Sequence, residues 1–420
     1  MSYSEKALDL LESGKIDDFN KQYDLAYHHD SDEMLYSLAE ELYSYGFSDQ
    51  AKKIYQKLLK KFPDEDSLRV DISDILISEG KTDEALAQLS IISSESDAYL
   101  QSLVTQADLY QTQGLLDVSR EKLLKAKELA PHENVITFAL AELLFTMGEY
   151  NKAIPLYLGL IKEGVTNISS VNLVERVGIS YANDSKFEHA IGYLKQIKTI
   201  DMTSDVKFET AFTYLQLKDY DKAIELFQEL RESDPQYATL YPYLGQALEE
   251  QNKSEDALLV YQEGLSVDQY NEKLYLLSAR AATKVDNKEL AENYLKEGNK
   301  IDPDDIEIVL ELSNLFVSEG KYEDNIELLS SYLDDHEMDP QFYWNLAISY
   351  DEIDDIKNAH KYYLAAKPYF MDNTTFLKSA SLFFRESGDI KNAISLLEMY
   401  VTAVPSDDEA AMMLEDYRNY

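Results

Sequence analysis

Cysteine is absent from this 420-residue chain. That one absence removes disulfide scaffolds, Cys-ligated zinc, iron–sulfur clusters and thiol nucleophiles together. Glycine and proline are scarce, at 14 and 9 residues, too few for the closely spaced turns of an all-β fold. Positive charge is also short: 39 Lys and Arg stand against 79 Asp and Glu, for a formal net charge of −40. Nucleic-acid partners need basic side chains to neutralise phosphates, so DNA and RNA are excluded as expected partners. Docking on an anionic lipid surface is disfavoured for the same reason. No apolar run reaches the roughly 18 residues of a membrane span. Asp9 and Glu12 interrupt the opening Ala7–Leu11 segment, so no signal peptide is read there. The expected compartment is therefore the cytoplasm. Apolar residues still make up 45% of the chain, which is enough for a packed core despite the charge.

What the chain has in abundance is repetition. A small residue recurs at Ala51, Ala85, Ser119, Ala153, Ala190, Ala223, Ala257, Ala291, Asn325, Ala359 and Ala393. The spacing is 34 residues except around Ala190, where it is 37 and then 33. Twelve residues before each of these stands another small residue: Ala39, Ser73, Ala107, Ala141, Gly178, Ala211, Gly245, Ala279, Ser313, Ala347 and Ser381. A period of this length marks a stack of supersecondary units. Two antiparallel helices joined by a tight turn fill such a period, and small residues at one point on each let the backbones approach closely. Gly46, Gly80, Gly114, Gly148, Gly320 and Gly388 fall at the turn, where a left-handed backbone costs glycine little. Pro63, Pro131, Pro235, Pro303 and Pro405 fall where the second helix must stop. Tyrosines such as Tyr110, Tyr181, Tyr55, Tyr157 and Tyr261 occupy inner positions, so the count of 32 is partly packing.

The segment from Phe138 to Tyr157, with Ala141, Gly148, Tyr150 and Ala153 in register, resembles the tetratricopeptide repeat (TPR), and so does Tyr214 to Phe227. The chain is similar to the stand-alone acidic TPR proteins of Gram-positive bacteria. The expected fold is all-α, a right-handed superhelical solenoid of about eleven hairpins. Residues 1–31 are expected to form a degenerate N-terminal hairpin, 32–165 repeats one to four, 166–405 repeats five to eleven, and 406–420 a C-terminal capping helix. Ser406-Asp407-Asp408-Glu409 is a helix-start pattern for that cap. The third small slot of the family departs to Leu58, Ile92, Leu160 and Tyr332, which predicts looser or shifted packing there. An insertion from Glu163 to Ser170 is read as a longer loop and a candidate hinge near Gly164.

Catalytic and metal patterns are searched for and fail. Gly159 to Thr166 has the glycines of a phosphate loop, but Val165 stands where lysine is required. His132-Glu133 lacks the second His of a helical zinc site. Asp302-Pro303-Asp304-Asp305 lacks the Gly and distal Glu of a calcium loop. His28-His29 reads as a solvated helix end. No cofactor and no enzymatic activity are expected.

The resemblance implies that the first helix of each pair lines a concave groove. On that mapping the groove carries Tyr36, Glu40, Tyr43, Asp74, Asp108, Phe138, Glu142 and Phe145 in the N-terminal half. Further along it carries Phe208, Phe212, Lys273, Arg280 and Trp344, with a local basic stretch from Lys273 to Lys284. The lone Trp344 is read as an anchor or as half-buried packing, with packing slightly ahead. The implied function is a non-catalytic scaffold or adaptor for a protein or peptide bearing basic and apolar anchors. A peptide-sensing regulator that changes superhelical pitch is the alternative reading, and an unrecognised hydrolase a weaker one.

Overall fold

The computed structural model describes residues 2–333 and 339–418. They fold as hairpins of antiparallel helices in two compact units, Met1–Asp201 and Met202–Tyr420. In the first unit α1 (Tyr3–Glu12) pairs with α2 (Ile16–His29), α3 (Asp32–Ser44) with α4 (Ser48–Lys61), and α5 (Ser67–Ser78) with α6 (Thr82–Leu89). Then α7 (Tyr99–Thr112) pairs with α8 (Leu116–Leu129), α9 (Asn134–Thr146) with α10 (Tyr150–Lys162), and α11 (Leu173–Asn183) with α12 (Phe187–Leu194). In the second unit α13 (Ser204–Gln216) pairs with α14 (Tyr220–Ser233), α15 (Leu240–Glu250) with α16 (Ser254–Val267), and α17 (Glu272–Lys284) with α18 (Lys288–Ile301). There follow α19 (Ile306–Ser318) with α20 (Tyr322–Leu333), α21 (Pro340–Glu352) with α22 (Ile356–Ala366), and α23 (Thr374–Glu386) with α24 (Ile390–Ala403). The last helix, α25 (Asp408–Arg418), packs on α24. The chain is an all-α repeat solenoid.

The small residues do what the period requires of them. All eleven of the anchor series and all eleven of the series twelve residues earlier are buried. At Gly245 the contact is so close that a Cβ would stand 2.0 Å from Cε1 of the fully buried Tyr261. The hairpin turns share one backbone device. Gly46 donates to the carbonyl of Tyr43 and Phe47 to that of Leu42, a pairing that satisfies the last helical carbonyls and places Gly46 at φ +83°. Lys218 holds the same position at φ +61°, with Lys218 donating to Leu215 and Asp219 to Tyr214. Ser185, Asn252, Asp286 and Asp354 also take positive φ there. The turn geometry is thus kept where glycine is missing. Each of the five repeat-ending prolines lies two residues past the last residue of its helix, after a C-cap that has left the helical region, such as Ala130 at φ −129°, ψ 71°.

The large residues in the third slot lie in the core, although Ile92 falls beyond the end of α6. Leu58, Ile92, Leu160 and Tyr332 are all buried, and Tyr332 meets Phe342 edge-on at 5.4 Å. The insertion after α10 is a small antiparallel hairpin, β1 (Asn167–Ile168) and β2 (Val171–Asn172). Its two-residue turn puts Ser169 and Ser170 at φ +49° and +69°, the handedness a tight hairpin demands. Val165, Ile168 and Val171 pack against the core of the first unit. Helix α25 lies where the C-terminal cap is expected, with Asp407 accepting from the backbone N–H of Ala410 at 3.0 Å. The two final residues of the expected cap lie outside the described residues.

Candidate functional site

First helices of successive hairpins touch one another: α1 meets α3, α13 meets α15, and α19 meets α21. Second helices fill the layer behind, each packed on its own partner and most on the next hairpin's first helix. These are the contacts expected of first helices that line an inner wall, and the sequence-predicted residues can be placed on them.

In the first unit the inner wall carries two adjoining cavities. The larger is about 1000 Å³ and is lined by Asp64, Glu65, Asp66, Asp71, Asp74, Glu95 and Asp97 among others. Helix α6 ends at Leu89, and residues of the Ser-rich segment that follows, from Ile91 to Ala98, line part of the cavity. Arg69 is the only base among its lining residues, and it is occupied by Asp66 at 3.1 Å and by the Pro63 carbonyl at 3.1 Å. The smaller cavity, about 490 Å³, lies between α5, α7 and α9 and shares Asp74 with the first.

Apart from Asp66, the carboxylates of α5 and α7 here sit without cations among the described residues. Among the described residues no lysine or arginine pairs with Glu40, Asp71, Asp74 or Asp108. Burial pushes the Asp71 carboxyl up to about 6; the Tyr36 hydroxyl works against that shift, and Asp74 and Glu40 add to it. Burial also raises Asp74. The Tyr36 hydroxyl is pushed up to about 12 by its own burial and then by Asp71. Its ring stands edge-on to Tyr55 at 5.8 Å. Tyr43 donates to the backbone carbonyl of Asp74 at 3.3 Å. Tyr36, Tyr43 and Asp74 are half-buried, and Glu40 and Asp108 are exposed.

Farther along the same unit the predicted residues are engaged with one another. Arg176 donates to both oxygens of Glu142 at 3.0 Å, and Tyr157 donates to Oε1 of the same carboxylate at 2.5 Å. The Arg176 guanidinium also covers the Phe145 ring at 4.7 Å. Phe138 is buried, with 9% exposure.

The second unit's predicted residues form two separate groups and a third site apart. Phe208 is buried and lies against Phe212, Tyr237 and Tyr243, with centroids at 6.2, 5.5 and 5.6 Å. Lys273 covers the Tyr243 ring at 5.6 Å. Arg280 donates to Glu311 at 2.5 Å and to Glu307 at 3.0 Å. Lys284 pairs with Glu249 at 3.2 Å. Arg280 and Lys284 of the basic stretch are thus matched by glutamates from neighbouring helices, and Lys273 is not, among the described residues. Trp344 packs against Phe370 and Phe376 at 5.0 and 5.3 Å, half-buried at the edge of the C-terminal core.

Two features escaped the sequence reading. Asp71 lies three residues before Asp74 on the same helix, outside the slots that the resemblance maps to the groove. Arg176 stands 34 residues after Glu142, but the insertion makes the local spacing 37, so the two fall in different slots of their repeats and the period gave no signal of the pair. Among the described residues no cluster of His, Asp and Glu is arranged to hold a metal ion, and no helix is long and apolar enough to cross a membrane.

Stacked 34-residue hairpins with buried small-residue contacts and a first-helix inner wall define a tetratricopeptide-repeat protein. The description "YpiA-like, tetratricopeptide repeats" matches residues 111–165, and its C-terminal counterpart matches 340–407. A general tetratricopeptide repeat matches 210–271. The TPR repeat-containing protein YpiA of Bacillus subtilis (strain 168) is 32% identical over 91% of this chain and 89% of its own length. The chain belongs to the YpiA-like family of TPR proteins. Human tetratricopeptide repeat protein 21A is 24% identical over 48% of this chain and 15% of its own length. Among solved structures, Naa15/Naa10 bound to HypK-THB aligns with a TM-score of 0.42 at 17% identity, covering 92% of this chain and 66% of that one.

Proposed function

We propose that this protein is a non-catalytic scaffold of the cytoplasm whose inner wall, in the first unit, takes an extended segment of a protein or peptide with basic and apolar anchors. The observation that carries the reading is the pair of adjoining cavities on α5 and α7, whose lining includes Asp71, Asp74 and Asp108, carboxylates with no cationic partner among the described residues. Half-buried carboxylates without partners cost the free protein stability, and a cationic ligand removes that cost. Aromatic side chains beside them supply the large contact areas that dominate interfaces, and the net charge of −40 steers a basic partner inward. The second unit's inner wall is less suited, because Arg280 and Lys284 are already matched by glutamates.

The test is affinity capture from a lysate of the protein's own cells. Gln101 and Asp108 are exposed and share one face of α7. A Gln101→Lys/Asp108→Lys variant keeps the core intact and reverses the local charge. The wild type should retain a defined protein that the variant loses. Identical captured sets would remove the groove reading.

A further inference from the structure

The smaller cavity of the first unit has a composition that specifies its occupant. Its floor is apolar, made by Ile77, Val104, Leu123 and Ala139, while Asp74 and Asp108 add carboxylates to its lining and Tyr43 an aromatic ring. The contributors come from α3, α5, α7, α8 and α9, so the shape is fixed by packing between hairpins rather than by one loop. Leu123 is held in the core; Tyr43 is anchored through its hydroxyl to the Asp74 carbonyl. Neither carboxylate has a cationic partner among the described residues. An aliphatic side chain would satisfy the floor and leave two carboxylates desolvated. A small cation would satisfy the carboxylates and leave the floor wet. A side chain with an alkyl stem and a charged head satisfies both.

We infer that the cavity between α5, α7 and α9 is a subsite for one lysine or arginine side chain of the bound segment, its stem on Val104 and Ile77 and its head between Asp74 and Asp108. The inference rests on the scaffold reading and sharpens it to a side-chain class and an address. Asp74 is the wall shared with the larger acidic cavity, so a segment seated here runs on along α5, where Asp71 offers the next carboxylate. Burial already raises Asp74, as it does a carboxyl that lacks a cation; an arriving guanidinium or ammonium supplies one.

The experiment uses the full chain and a fluorescein-labelled ten-residue peptide of alternating leucine and arginine, followed by fluorescence polarisation at about 150 mM salt, where distant charges are screened. A matched peptide carries citrulline, which keeps the shape of arginine and loses its charge. The arginine peptide is expected to bind the wild type saturably, and the citrulline peptide about tenfold or more weakly. Asp74→Asn/Asp108→Asn should weaken the arginine peptide to a similar degree and show little further loss with citrulline, because the two changes remove the same contact. Val104→Trp, which fills the cavity without altering charge, should also weaken binding. Glu121→Gln/Glu225→Gln, on exposed outer helix faces, removes the same charge and should leave binding unchanged. The inference is overturned by any of four results: no saturable binding to the wild type, equal weakening by the outer-face control, independent effects of citrulline and the double Asn variant, or unaltered binding to Val104→Trp. Thermal melting of each variant separates lost binding from lost folding. If lysate capture depends on Gln101 and Asp108 while these peptide results fail, the scaffold reading stands and only the side-chain subsite falls.

Discussion

At Gly245 the packing of α15 on α16 within one hairpin leaves no space for a methyl group. Replacing a helical glycine with alanine ordinarily gains about 1 kcal/mol of helix propensity. Here the new Cβ would stand 2.0 Å from Cε1 and 2.4 Å from Cζ of Tyr261, and that ring is fully buried. Overpacking of such a core costs about 1–3 kcal/mol or more, so the clash wins. Gly245→Ala should lower stability by about 1–2 kcal/mol in urea or thermal unfolding; a gain would show that the ring has room to shift. Asp71 carries the opposite kind of prediction. Its folded-state pKa of about 6 lies above the ordinary value of 3.8, so the unfolded chain loses this proton first. Its destabilising effect is absent below about pH 4, grows as pH rises through 4 to 6, and is complete above that. Asp71→Asn should therefore stabilise the protein at pH 7.5, by about 1 kcal/mol after allowing for solvent screening, and make no difference near pH 3.5. Paired melts at the two pH values check this, and a gain equal at both would assign the effect to packing. The sequence points to Asp74 and Asp108 together because they stand in one slot of successive repeats, 34 residues apart. Asp71 was hidden because its exposure depends on the neighbouring hairpin's loop, which no period encodes. Phe138, Phe208 and Trp344 stand in slots of the same series, yet how deeply each is buried is decided by the aromatic residues that happen to surround it.

Element by element, the period made the helices legible and left their lengths open. The small residues, turn glycines and terminal prolines each have one physical role, and each is found in it. Two second helices, α6 and α12, are only 8 residues long where most others have 11 to 14. After α6 the run Ser90-Ile91-Ile92-Ser93-Ser94 offers hydroxyls that compete for backbone groups and branched side chains that disfavour helix, a signal present in the sequence but weak beside the period. The insertion after α10 reads as a loop because its strands have two residues each, too few to show alternation. The closing helix α25 is legible through its start pattern, and its role is set by what it covers. Leu414 and Tyr417 are buried with Phe383, Leu397 and Tyr400 in the same cluster. Asp407 at its start also accepts from Lys378 and from the Tyr400 hydroxyl, each at 2.8 Å. Each large buried side chain contributes about 1.5–3 kcal/mol, against which the ordering of a surface helix counts. Ending the chain after Ser406 should therefore lower stability by a few kcal/mol and expose surface that binds a hydrophobic dye. Solenoids need such terminal covers, and a truncated chain with an unchanged melting temperature would deny α25 that role.

For the whole molecule the governing quantity is charge. A net charge of −40 repels itself in any compact state, and salt screens that repulsion. Salt also weakens the ion pairs between hairpins, such as Lys378 with Asp407 and Arg120 with Glu149 at 2.8 Å. Exposed pairs contribute only about 0–1 kcal/mol each, and the excess of acids leaves most carboxylates unpaired. Relief of repulsion should therefore win, and the melting temperature should rise as salt goes from about 10 to 150 mM. Binding of the arginine peptide should move the other way over the same range, because attraction between unlike charges is screened as well. The two responses have one origin: carboxylates that repel one another in the free protein are the ones that draw in a cation. Melting curves and peptide titrations across the same salt series test the pair together. Stability that falls with salt would mean that inter-hairpin ion pairs, and not like-charge repulsion, dominate the electrostatics of this solenoid. Peptide binding indifferent to salt would move the basis of recognition from the acidic wall to its apolar floor.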